Sequence, residues 1–283
     1  MAEGALRVGN VEIIELTDAH VRFPLPLRQL FPGVSEENWA AYQERYPDAF
    51  YGPDIWHGHF GGQLVRSGGQ TIVVDTGFGP TPRDLFDNQP GRFLDDLKAQ
   101  GVNPEDVNVV FTTHAHPDHV GWNLTSDGKP TFPRARYYIH QADWDAFQTQ
   151  EVQSQLPYPY VDQTITPLKN LGVLELLTGE RSLTPEVTAI HAPGHTPGHM
   201  ALLITSAGER AIILGDAMGH PLQVTEPDVP FGFDGDVPTA VSTRKRMLDQ
   251  LDGAGTIGVV CHFPGSGFGR VIRLGGKRYW EGI

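Results

Sequence analysis

Residues 113–122 read THAHPDHVGW and place three histidines and an aspartate within six positions, from His114 to His119. The run before them, VNVVFTT (107–113), is apolar and β-branched, which predicts a buried strand. Beyond it His114 and His116 stand at i and i+2. In extended backbone that spacing turns both imidazoles to one face, close enough to grip one cation. Pro117 then turns the chain, so Asp118 and His119 face another way, and the one stretch can serve two neighbouring metals. Neutral imidazole and carboxylate suit Zn²⁺, and also Mn, Fe or Co.

Further ligands are expected where other strands end in turns. APGHTPGH (192–199), LGDAMGHP (214–221), VCHFPGSG (260–267) and VVDTG (73–77) meet that condition. They offer His195, Asp216, His262 and Asp75, each following a strand and entering a Gly/Pro turn. Cys261 precedes His262 in a predicted strand and so is expected to point to the opposite face, into the core. His20, His57, His59, His140, His191 and His199 read as surface or hydrogen-bonding groups. His220, four residues after Asp216, stands close enough in the chain to reach substrate or shuttle a proton.

The rest of the chain alternates short β-rich runs with fewer helices. Strands are predicted at 7–17, at 60–75 (two, turning at Ser67-Gly68-Gly69), 135–140, 187–194, 200–205, 210–216 and 256–263, with a closing hairpin at 270–280 around Gly275-Gly276. Helices are predicted at 91–101, where Phe93, Leu94 and Leu97 share a face, at 141–149, and at 239–253, ending at Gly253. This pattern predicts a mixed α/β domain with sheets covered by helices. Two segments do not fit as core. Residues 22–57 are rich in aromatics and prolines, and residues 219–236 form a long Pro/Gly-rich loop; both are read as lids, binding loops or plain cover.

Bulk composition narrows the function classes. The chain has 283 residues, 39% hydrophobic and 19% charged, which predicts a globular protein with a sizeable core. A net charge of −13 disfavours nucleic acid and anionic membrane surfaces as partners. The single cysteine excludes an intrachain disulfide. With no basic-then-apolar leader and no apolar run of membrane-spanning length, a soluble, cytoplasmic protein is expected.

The order Asp75, HAHPDH (114–119), His195, Asp216, His262 resembles the five ordered motifs of the metallo-β-lactamase superfamily, over a stretch from about residue 60 to the C-terminus. The resemblance implies an αββα four-layer sandwich with metals at one edge. The expected organisation is one domain over residues 1–283, with 22–57 as an N-terminal loop and helix extension near the active site. It also implies two divalent metal ions per chain, zinc first among Zn, Mn, Fe and Co. His114, His116 and His195 would bind one and Asp118, His119 and His262 the other, with Asp216 bridging and Asp75 orienting ligands. Two metals sharing a carboxylate also share a water, whose bridging hydroxide can attack a carbonyl or phosphoryl centre. Asp118 would then pass a proton to the leaving group.

The long segment before the hairpin, GDAMGHP and HFPGSGFGRV are similar to the branch of lactonases and organophosphate hydrolases. That similarity implies opening of a lactone or cleavage of a related ester, with phosphotriester hydrolysis as the alternative. β-Lactam hydrolysis and a non-catalytic metal-binding scaffold rank below both. Lactonases of this branch carry a Tyr shortly after the bridging Asp, where this chain has Ala217-Met218-Gly219-His220. Phe23, Phe31, Met218, Phe231 and Phe233 are the expected pocket for a small apolar substrate. The aromatics of 22–57 leave a homodimer contact open as well.

Overall fold

In the computed structural model, which describes residues 4–252 and 255–283, the first half of the chain builds one sheet and the second half another. The first contains β1 (Ala5–Val8), β2 (Val11–Pro26), β3 (Phe50–Gly52), β4 (Ile55–Ser67), β5 (Gln70–Val74), β6 (Val109–Phe111), β7 (Arg136–His140) and β8 (Leu174–Leu177). They lie in the order β1-β2-β4-β5-β6-β7-β8, with β3 on β4. The second contains β9 (Arg181–Ser182), β10 (Val187–His191), β11 (Met200–Ser206), β12 (Glu209–Ile213), β13 (Ile257–Val259), β14 (Phe268–Leu274) and β15 (Lys277–Gly282), in the order β15-β14-β13-β12-β11-β10-β9. Hairpins β4–β5 and β14–β15 turn at Gly68-Gly69 and Gly275-Gly276, whose positive φ angles give the tight reversal its backbone.

Alternation along the strands explains the layering. Val65, Ile72, Val74 and Phe111 meet Val187, Leu202, Ile204 and Ile213 between the sheets. Their chain neighbours Leu64, Val73 and Val110 point the other way, onto Phe93 and Leu97 of helix Phe93–Ala99. On the far side Ala201 and Ile212 pack against Met247 and Leu248 of helix Val237–Leu251. Strands apolar on both faces need cover on both faces, and the outcome is a helix–sheet–sheet–helix stack, the αββα sandwich. No helix among the described residues is long and apolar enough to cross a membrane.

Several predicted elements shift. The run 256–263 is strand only over Ile257–Val259, and Cys261 and His262 already turn. Helix Val237–Leu251 runs up to Asp252; Gly253, the expected stop, lies outside the described residues. Residues 150–177 hold three short helices and β8 that no sequence pattern announced.

The largest correction concerns residues 22–57, expected to lie outside the core. Residues 22–26 extend β2, helix Glu36–Arg45 follows, and Trp39, Tyr42, Tyr46, Phe50 and Trp56 are buried in the same cluster as Met247 and Leu248. Ser35 caps that helix by accepting from Asn38 N. These aromatics are buried inside their own chain; Tyr51 alone of the segment's large hydrophobics is exposed.

Candidate metal centre

Strand β5 runs parallel to β6 and β6 to β7, while β12 runs parallel to β13. Their carboxyl ends deliver, in turn, Asp75, the 114–119 stretch, Asp143, Asp216 and His262. His195 arrives from the loop after β10. The expected spacing argument for His114 and His116 needs adjustment, because β6 ends at Phe111 and both histidines sit in the turn beyond it. They converge through different nitrogens: His114 Nε2 lies 3.0 Å from His116 Nδ1, and His195 Nε2 lies 2.9 Å from the same atom.

Asp118 and His119 open helix Pro117–Val120. Asp118 Oδ2 lies 3.4 Å from His119 Nε2 and 3.4 Å from His262 Nε2. Asp216 stands between the two groups. Its Oδ2 is 3.8 Å from His114 Nε2, 3.4 Å from His195 Nε2 and 3.2 Å from His262 Nε2, and its Oδ1 is 3.5 Å from His119 Nε2. The structure thus brings all seven predicted donors together as two trios with one carboxylate between them.

The back side of each ring shows what the front is for. His119 Nδ1 donates to Asp75 Oδ2 at 2.9 Å. His262 Nδ1 donates to the His59 carbonyl at 2.7 Å. His195 Nδ1 donates to Asp234 Oδ1 at 3.2 Å. His114 Nδ1 donates to Thr113 Oγ1 at 3.0 Å, and that hydroxyl donates on to Asp75 Oδ2 at 2.8 Å. In all four the proton is fixed on Nδ1, which leaves the Nε2 lone pair facing the common space. His119 Nε2 is buried with no hydrogen-bond partner among the described residues. A divalent cation fits this donor set.

The charges agree. Burial pushes His114 well down and His116 down to about 3, so both stay neutral. Burial acts the same way on His119 and His262, but the carboxylates Asp118 and Asp216 override it and raise both well above the usual histidine range. Burial would likewise raise Asp118 and Asp216, and the facing imidazoles instead hold them well below the usual carboxylate range. Two buried carboxylates thus demand positive charge at this spot, from protons or from cations.

Sequence reasoning missed the braces around the donors. Asp143, fully buried, accepts from Ala115 N at 2.9 Å, Thr196 Oγ1 at 2.9 Å and Gly198 N at 2.6 Å, so it ties the 114–119 turn to the His195 loop. Asp234, in the 219–236 loop, is held by Arg244 at 3.0 Å behind His195. His199 Nε2 accepts from Asp216 N at 2.9 Å. No spacing flags Asp143 or Asp234, whereas His199, at the end of APGHTPGH, takes the hydrogen-bonding place expected of it.

Three expectations fail on position. His220 is fully buried between the rings of Phe31 and Phe50, at 5.5 and 5.2 Å, and burial lowers it to about 3. It does not line the cleft above the donors, because the turn at Gly215–Ala217 carries the chain back into the core. Phe31 and Met218 are buried there too, Phe31 stacked at 5.0 Å on the inner side of Phe231. Cys261, expected to face away, instead sets its Sγ 3.8 Å from Asp216 Oδ1, because strand alternation stops at Val259.

The cleft itself measures about 440 Å³. Phe23, Phe231 and Phe233 line it as expected, joined by Trp56, Phe60 and Tyr160, and its floor is His116, Asp118, His195, Asp216 and His262. The hydroxyl of Tyr160 is buried without a partner among the described residues, and burial keeps it protonated by raising it far above the usual tyrosine range.

Comparison with known proteins gives a consistent result. The family model for the Metallo-beta-lactamase superfamily matches residues 64–254. An N-acyl homoserine lactonase of Bacillus sp is 31% identical over 161 residues, 56% of this chain and 57% of that protein. One of Bacillus cereus is 31% identical over 196 residues, 64% of this chain and 71% of that protein. The chain thus spans little more than half of the first relative and about seven-tenths of the second. Among solved structures, AidC, described as a dizinc quorum-quenching lactonase, superposes with a TM-score of 0.82 at 24% identity, over 99% of this chain and 96% of that one. A hydrolase of the beta lactamase superfamily, AbOPH, superposes with a TM-score of 0.84 at 24% identity, over 99% and 97%. At such identities these two speak for the fold.

Proposed function

Because the chain belongs to the metallo-beta-lactamase superfamily, with residues 64–254 matching its family model, we propose that it is a dinuclear metal-dependent hydrolase that opens lactones bearing an apolar tail. One observation carries the reading: seven donors stand as two trios with Asp216 between them, and five of them, His116, Asp118, His195, Asp216 and His262, form the floor of an apolar cleft of about 440 Å³. The lactonase relatives at 31% identity support the substrate class, N-acyl homoserine lactones among them.

His114, His116 and His195 would hold one divalent cation, Asp118, His119 and His262 a second, and Asp216 both, with zinc the first expectation. Two cations so held supply an activated water near neutral pH and an electron-withdrawing contact for the carbonyl. The chain's own residues do the rest. Phe23, Trp56, Phe231 and Phe233 take up the apolar tail and exclude water. Asp118, whose side chain is 14% exposed at the cleft floor, receives a proton and returns it to the departing oxygen. Tyr160, coming from a different segment than the tyrosine of the lactonase branch, offers its hydroxyl to the oxygen that gains charge.

A second reading is phosphotriester hydrolysis. It is favoured by the aromatic character of the cleft wall, which suits an aryl leaving group. A panel of acyl homoserine lactones of rising chain length, aryl esters, aryl phosphotriesters and β-lactams separates these, run on metal-quantified protein. His116→Ala and Asp216→Ala serve as controls expected to be inactive. Turnover highest on lactones supports the first reading and highest on phosphotriesters the second. Metal-loaded protein that turns over none of them would overturn both.

A further inference from the structure

A second histidine cluster lies on the first sheet, outside the centre described above. His57 and His59 are at i and i+2 on β4, and His20 on β2 pairs directly with His59. That register puts all three imidazoles on one face. Ring centroids are 4.3 Å apart for His20 and His59, 5.0 Å for His57 and His59, and 5.7 Å for His20 and His57. One nitrogen from each ring lies within 4.8 Å of the others. The cluster faces away from the cleft: Trp56 and Phe60, which alternate with it on β4, are the residues that pack on His262, at 5.5 and 4.9 Å.

Two details separate this trio from incidental surface histidines. His59 is only 6% exposed, and neither of its ring nitrogens has a hydrogen-bond partner among the described residues. Unpartnered buried polar atoms are uncommon in native proteins and point to a missing ligand or water. His57 Nδ1 donates to the Asp48 carbonyl at 2.9 Å, which fixes its proton there and leaves Nε2 free, the arrangement that prepares a histidine for a metal. His20 is exposed and leaves an entry path.

We propose that His20, His57 and His59 form a third metal site, for a borderline divalent cation such as Zn²⁺, Cu²⁺, Ni²⁺ or Co²⁺, with water completing the coordination. An all-imidazole set without a carboxylate selects these ions over Mg²⁺ and Ca²⁺. Because the His59 carbonyl also holds His262 Nδ1, the strand that would carry the outer ion also orients a ligand of the inner pair.

The test counts ions. Protein stripped by a chelator is dialysed against micromolar free Zn²⁺, and bound zinc is measured by mass spectrometry. The wild type is expected to hold three ions per chain, and His20→Ala and His57→Gln two each with unchanged circular dichroism. His116→Ala, which removes an inner ligand, should lose an inner ion and keep the outer one. His20 and His57 are chosen because neither contacts the inner donors. A wild type that stops at two ions, or a third ion retained by both outer variants, would overturn the third site and leave the dinuclear reading standing.

Discussion

Tyr160 shows how much a single atom decides. Its hydroxyl is buried in the cleft wall with no partner, and a buried polar group left alone costs about 1–3 kcal/mol. A substrate oxygen that accepts from it relieves that cost, most fully when the oxygen carries charge. Tyr160→Phe is therefore expected to lower kcat on lactones by on the order of 10²-fold, with KM moving much less and metal content unchanged. Steady-state kinetics on metal-quantified protein checks this, and an unaltered kcat would remove Tyr160 from the reaction. Nothing in the sequence singled this residue out. The seven donors were legible because each follows a strand into a Gly/Pro turn, and turns at sheet edges converge. Asp143 sits inside a helix, and Tyr160 and Asp234 sit in Pro- or Gly-rich segments that follow no predicted strand directly. His220 and Met218 were misplaced for the converse reason: closeness to Asp216 along the chain is undone by one turn at Gly215–Ala217.

Strand β2 carries the clearest consequence at the level of elements. It lies beside helix Phe93–Ala99, and Asp96 of that helix accepts from Thr17 N at 2.8 Å. Glu15, two residues earlier, is half-buried near the same carboxylate. Burial first, and Asp96 second, push its pKa up from 4.5 to about 7. The folded protein therefore binds a proton more tightly than the unfolded chain does. Ionising Glu15 costs nothing below about pH 4.5, costs progressively more between there and pH 7, and reaches its full cost above pH 7. At about 1.4 kcal/mol per pH unit the ceiling is roughly 3 kcal/mol. Glu15→Gln is thus expected to stabilise the protein by up to about 3 kcal/mol at pH 8 and to be close to neutral at pH 4.5. Denaturant melts of both proteins at the two pH values measure it; an equal effect at both would mean that the gain is unrelated to ionisation. The strand itself was legible from RVGNVEIIELT, but its continuation through Pro26 was not. Residues 22–57 hid their place in the core because their apolar groups are aromatics spaced by prolines, with no period of two or of 3.6 to read.

The whole molecule is two half-sandwiches meeting at the donor cluster. His114, His116, Asp118 and His119 belong to the half that ends with β8, and His195, Asp216 and His262 to the half that begins with β9. Direct ties at the same edge include Asp143 to Thr196 and Gly198, the His59 carbonyl to His262, Met200 N to the Thr113 carbonyl, and Trp56 and Phe60 packed on the His262 ring. On the proposed function, cations held by donors from both halves would act as a clamp across the seam. They would bind the folded state in preference, since the full ligand set is spread over some 150 residues of the unfolded chain, from His114 to His262, and only the 114–119 stretch keeps its donors close together there. A ligand at 100 times its dissociation constant stabilises by about 2.7 kcal/mol, so two such ions contribute about 5 kcal/mol. For a chain of this size that corresponds to a melting temperature lower by on the order of 10 °C after removal. Calorimetry before chelation, after it and after zinc is restored should show the loss and its recovery. His116→Ala, with one ion site damaged, should begin lower and lose less. A melting temperature unmoved in protein shown to have lost its metal would mean that Asp143 and its partners hold the seam unaided, and that the donors are positioned before any ion arrives.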